Sequence, residues 1–100
     1  MMKYLIWLAN NYTSVKEIVE SLRGKDIEVE ILLLQDGVYL ADKGFREPNE
    51  LKGLGLQVHA IKHHVEERGI TDRLALNVNL IDYPAVVNLL MEKCDRIISL

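Results

Sequence analysis

The sequence predicts an α/β fold, a single three-layer domain over residues 1–100 with a mostly parallel sheet of about five strands and helices on both faces. Three observations lead there. Strand-like and helix-like segments alternate along the chain, the order that right-handed strand–helix–strand crossovers require. The strand-like segments are short continuous apolar runs rather than in–out alternations, so both of their faces are expected to be covered. Between them, apolar positions recur at helical spacing, bounded by capping residues, glycines and a proline.

"KYLIWLA" (3–9), rich in aromatic and branched residues, reads as the first strand and ends at Asn10-Asn11. "TSVKEIVESLRG" (13–24) places Val15, Ile18, Val19 and Leu22 on one helical face. Thr13 or Ser14 can cap its start, Glu17 is placed for a capping box, and Gly24 closes it. "VEILLL" (29–34) is the second buried strand, and "GVYLAD" (37–42) is expected as a short helix begun at Asp36. Residues 43–55, "KGFREPNELKGLG", form the most loop-like part, with room for a helical turn in "NELKGLG". "LQVHAI" (56–61) is a third strand, and "HHVEERG" (63–69) a short helix stopped by Gly69. "ITDRLALNV" (70–78) is a connection with room for a turn of helix, and "NLIDY" (79–83) a fourth strand. "PAVVNLLMEKC" (84–94) is a helix with Pro84 in its first turn and Asp82-Tyr83-Pro84 as its cap; "RIISL" (96–100) is the last strand.

Composition narrows the function classes. Apolar residues make up 49% and charged residues 27%, ordinary for a globular chain. A body of 100 residues with that apolar share is expected to meet another subunit, a relative or a second copy. Net charge is −3 and the pI about 5.6, which argues against direct nucleic-acid contact. Apolar runs of about six residues fall well short of the roughly 20 that span a bilayer, and Met1–Asn10 lacks the pattern of a signal peptide. A single cysteine, Cys94, excludes an internal disulfide and fits a reducing cytoplasm. Neither GxGxxG nor GxxxxGK[ST] occurs, and no cofactor is expected.

In a parallel sheet the loops leaving the carboxyl ends of the strands form the binding edge. Gln35-Asp36-Gly37 sits at one of them. Asp36 suits a helix N-cap, and Gly37 permits a sharp turn or the close approach of another backbone. The plain reading is a capped turn; the functional one is the lip of a binding edge. His63 and His64 follow the third strand at the same edge. Being adjacent on a helix they diverge, and neither His59 nor Glu67 completes a convincing metal set, so no metal is expected. Tyr12, Tyr39 and Tyr83 each lie just beyond a strand, where a tyrosine can pack, cover or dock. Gln35, Asp36, Gly37, Tyr39, His63 and His64 are therefore the candidate interface or binding edge.

"ILLLQDGVYLA", "VHAIKHHVEERGIT" and "NLIDYPAVVNLL" resemble, in order and spacing, the DsrH/TusB branch of the DsrE/DsrF/DsrH-like family, over roughly residues 27–92. The resemblance implies a small α/β subunit of a cytoplasmic sulfur relay. Such relays pass persulfide sulfur toward tRNA 2-thiouridine or within sulfur oxidation. It also implies partners: DsrE/DsrF (TusD/TusC)-type subunits, one bearing the catalytic cysteine, and small sulfur-carrier proteins. Some members of the branch carry an early cysteine of their own, but residues 1–93 here contain none.

Cys94 is thus the one candidate for a catalytic thiol. A persulfide carrier needs a thiolate, which a helix N-terminus or a nearby cation favours. Cys94 instead falls near the end of a helix, where the macrodipole opposes negative charge, with Lys93 and Arg96 as partial offsets. Three readings follow: an assembling subunit, a sulfurtransferase using Cys94, and a small-molecule binding module at the Gln35-Asp36-Gly37 edge.

Overall fold

A computed structural model describes residues 2–10, 15–22, 26–42, 56–74 and 78–100. Its five strands are β1 (Met2–Leu8), β2 (Ile27–Leu33), β3 (Gln57–Ile61), β4 (Asn79–Ile81) and β5 (Arg96–Ser99). They lie in the order β4-β3-β2-β1-β5, and every neighbouring pair is parallel. Helices α1 (Lys16–Leu22), α2 (Lys62–Glu67) and α3 (Tyr83–Glu92) accompany them, with 3-10 helices at Gln35–Ala41 and Thr71–Arg73. The α/β expectation holds, and the sheet is wholly parallel among the described residues.

Strand order explains the two cores. The steps from β1 to β4 each move one strand in the same direction, whereas the β4–β5 connection crosses back over the sheet. With right-handed crossovers the early connections share one face and α3 takes the other. Packing agrees. Ile6, Leu8, Ile31, Leu33, Val58 and Ala60 meet Val15 just before α1, Val19 of α1, Val38 of the first 3-10 helix and Val65 of α2. On the opposite face Leu5, Leu32 and Ile61 meet Val86 and Leu89 of α3. β2 is covered on both sides, with Ile31, Leu32 and Leu33 all at 0% exposure, which is why it reads as a run rather than an alternation.

Local sequence sets the ends of α2 and α3. α2 stops in a left-handed Gly69 (φ 64°). Gly69 N–H bonds to Glu66 O at 3.0 Å and Ile70 N–H to Val65 O at 3.3 Å, and both Val65 and Ile70 are buried. That is the paired-bond glycine stop with its apolar clasp. α3 starts as expected: Asp82 Oδ1 accepts from Ala85 N–H at 3.0 Å, and Pro84 sits in the first turn.

Two expectations change or fall outside view. The helix expected over residues 37–42 is a 3-10 helix beginning at Gln35, and Asp36 does not cap it. Leu34 holds the cap position, Gly37 N–H bonds to its carbonyl at 2.9 Å, and Gln35 turns the chain with a left-handed φ of 49°. Asp36 therefore lies inside the first turn, with its carboxylate turned toward α2. The proposed caps Thr13, Ser14 and Gly24, together with Tyr12 and the loop at 43–55, lie outside the described residues.

Candidate functional site

The edge beyond β2 and β3 is stapled by side chains. His64 Nδ1 accepts from Gln35 N–H at 2.8 Å, and Nε2 lies 3.0 Å from the Tyr83 hydroxyl. An accepting Nδ1 leaves the neutral ring's proton on Nε2, which donates to the Tyr83 oxygen. Burial lowers the His64 pKa, and the Arg68 guanidinium lowers it further, so the neutral ring is the favoured form. Arg68 Nε and Nη2 both reach Asp36 Oδ1 at 3.1 Å, and Nη1 donates to His64 O at 3.3 Å. The Tyr83 ring meets His64 edge-on at 5.9 Å. One connected set of contacts thus ties the Q-D-G turn to α2 and to the start of α3.

Of the expected edge residues, Gln35, Asp36 and His64 come together in this staple. His63 stands beside it, exposed and paired with Glu67 across one helical turn at 3.0 Å. Gly37 is buried beneath, where an added Cβ would lie 2.0 Å from Leu8 O at the end of β1. Backbone approach, not a φ requirement, demands the glycine. Tyr39 is partly buried and packs against the core on the α1 side. Both His64 nitrogens are engaged, so the edge is built to hold shape rather than to move protons.

A second polar group crosses the other sheet face under α3. Lys3 Nζ pairs with Glu30 Oε2 at 2.7 Å, Glu30 Oε1 accepts from His59 Nε2 at 2.9 Å, and Asn79 Nδ2 donates to His59 Nδ1 at 3.0 Å. The four residues come from four adjacent strands. Glu30 is 7% exposed. Burial pushes its carboxyl up, but Lys3 and His59 outweigh that and hold its pKa below the ordinary value, while the bond to Glu30 lifts Lys3. These residues line a cavity of about 240 Å³ with Ile81, Ala85, Asn88, Leu89 and Lys93. Reading for loops beyond strand ends missed this face. The available signal was a carboxylate inside an otherwise apolar strand, "VEILLL", matched by a histidine inside "LQVHAI".

Cys94 follows α3, half-buried, with its thiol donating to Leu90 O at 3.5 Å. Burial raises its pKa, and Asp95 and Glu30 add to the rise. It packs with the apolar cluster of the α3 face. This thiol is held in its protonated form at neutral pH, the wrong state for a nucleophile. Among the described residues no cluster of His, Cys, Asp and Glu has the makings of a metal site, and no helix is long and apolar enough to cross a membrane.

Comparison with known proteins converges on one family. Protein TusB of Escherichia coli K12 is 38% identical over 60 residues, 60% of this chain and 63% of that protein. Protein TusB of Photorhabdus laumondii is 37% identical over 67 residues, 67% of this chain and 66% of that protein. The match thus spans just under two thirds of the length of these curated relatives. Among solved structures, the ychN protein of E. coli superimposes with a TM-score of 0.79 at 18% identity, covering 100% of both chains. A protein of unknown function from Methanobacterium thermoautotrophicum does so at 0.78 and 13%, again over 100% of both. Those two speak for the fold. The family model described as DsrH like protein matches residues 9–95. Since that span runs from the end of β1 to the residue before β5 and takes in the Q-D-G turn, α2 and the α3 cap, the chain belongs to the DsrH-like protein family.

Proposed function

We propose that this chain is a subunit of a cytoplasmic sulfur-relay assembly and that it works by holding and presenting a partner, not by carrying sulfur. The observation that carries this reading is the setting of Cys94. The chain's only thiol lies past the C-terminal end of α3, partly covered, beside Asp95, with its pKa raised. Membership of the DsrH-like family supports the relay, in tRNA 2-thiouridine formation or in sulfur oxidation. The persulfide then resides on a DsrE/TusD-type partner, with a small sulfur carrier as recipient.

The outer side of α3 supports the assembling role. Tyr83, Val87 and Met91, spaced by four, are 53%, 58% and 78% exposed, and Ile97 of β5 is 49% exposed. Residues four apart share a helix face, so this is one apolar stripe. The stapled Gln35–His64–Tyr83 edge adjoins its start and supplies a fixed polar rim.

Co-expression with a cysteine-bearing relative tests the proposal. A stable complex burying on the order of 1,200–2,000 Å² is expected on gel filtration. Val87→Glu with Met91→Glu should release the partner while circular dichroism stays unchanged. Cys94→Ser should leave both the complex and sulfur transfer intact. Transfer lost in the Ser variant with the complex preserved would instead make this chain the sulfurtransferase.

A further inference from the structure

We propose that the step between α3 and β5 is a docking surface for a second copy of this chain, each copy laying its α3 in the other's step. The step follows from where α3 sits. Ala85, Asn88 and Leu89 face the cavity beside His59, Asn79 and Ile81, so that flank of the helix looks toward β3 and β4. At about 100° per residue, Val87, Leu90 and Met91 fall on the opposite flank, toward β1 and β5. The floor on that side comes from the sheet. Ile97 pairs in register with the buried Leu5, so its side chain shares the α3 face. Leu5, Leu32 and Ile61 are covered by α3, whereas Ile97 is left 49% exposed. Trp7, on the same face of β1, is partly buried. Helix wall and strand floor thus form an apolar corner, at a sheet edge where no strand follows β5 among the described residues.

Two properties of the corner select a copy of this chain. The wall is bare of charge: Tyr83 to Met91 holds no Asp, Glu, Lys, Arg or His, so a strongly acidic or basic partner finds nothing there to pair with. Asp95, two residues before Ile97, is already bound through Oδ2 to Lys3 N–H at 2.7 Å. The corner is also self-complementary. Among the described helices α3 is the one with large apolar side chains in solvent, so the helix that forms the wall also has the flank to enter such a corner. A two-fold axis sets the two α3 helices antiparallel, with Val87 and Met91 of each against the other helix and above the other's Ile97. Axes at roughly 8–10 Å allow that packing, and the opposed helix dipoles favour it. Each α3 is used twice, as wall and as entering helix, which enlarges the contact toward the roughly 800 Å² per partner of a specific dimer. The proposal rests on the reading of α3's outer side as the docking face, and makes a second copy its occupant when no relative is bound.

The test is sedimentation velocity of the full chain alone, from low to high micromolar concentration. A dimer is expected. Met91→Glu on the wall and Ile97→Glu on the floor should each weaken it by roughly tenfold or more, with circular dichroism unchanged. Asn88→Glu, on the cavity flank, should leave it intact. Val87 stands near the midpoint of α3 and so near the two-fold axis. Val87→Cys in a Cys94→Ser chain should therefore be joined into a dimer by a short bismaleimide, and Asn88→Cys should not. A monomer throughout overturns the proposal; if that monomer still binds a cysteine-bearing relative, the assembling role survives without it. A dimer that persists in folded Ile97→Glu, or that cross-links equally from Asn88→Cys, puts the contact elsewhere and overturns it too.

Discussion

Gly37 and His64 show how single atoms fix the edge of this molecule. A methyl group on Gly37 would stand 2.0 Å from Leu8 O, a backbone atom of a fully buried strand end that cannot swing aside. Gly37→Ala should therefore cost at least about 1–3 kcal/mol, the range for overpacking, read as a lowered urea midpoint. His64 gives a pH signature. Its folded pKa is depressed by burial and Arg68, so the unfolded ring takes up its proton first. Its contribution to stability is complete above the ordinary value of 6.5 and is lost as pH falls through the lower folded value. Urea midpoints should decline below that pH in the native chain, and His64→Gln should flatten the decline; an unchanged slope would remove His64 as its source. Gly37 was legible from sequence as a turn or a close approach, because only those needs select glycine there. The Glu30–His59 pair was not placed, because residues 29 positions apart meet only through strand register.

At the scale of elements, two aspartates that look alike in sequence behave differently. Asp82 caps α3 through Ala85 N–H, whereas Asp36 lies one residue into a 3-10 helix with a 64% exposed side chain and pairs with Arg68. Asp82→Ala should cost about 0.5–2 kcal/mol by freeing the first turn of α3. Asp36→Ala should cost no more than about 1 kcal/mol, since exposed pairs are screened by solvent. Thermal melts of the two variants side by side would reveal the ranking, and a larger loss at Asp36 would contradict it. Stops and starts such as Gly69, Asp82 and Pro84 were readable because their causes are local. The 3-10 form of Gln35–Ala41 was not. It follows from the backbone contact at Leu8 and the His64 bond to Gln35, both of which come from distant segments.

At the scale of the whole molecule, the strand order β4-β3-β2-β1-β5 gives α3 a sheet face of its own. Its inner side closes the core with Val86 and Leu89, while its outer side leaves Tyr83, Val87 and Met91 in solvent. Continuous apolar strands announced a parallel sheet covered on both sides, but they carried no information on order, because any covered strand reads alike. The same helix ends near the only thiol, so the proposed surface for partners and Cys94 lie close together. The direct measurement is the intact mass of this chain and of a cysteine-bearing partner after incubation with a cysteine desulfurase and cysteine. Sulfur should add to the partner and leave Cys94 unmodified, at a rate of transfer unchanged in Cys94→Ser. Stoichiometric persulfide on Cys94, passed onward and lost in the Ser variant, would contradict the account.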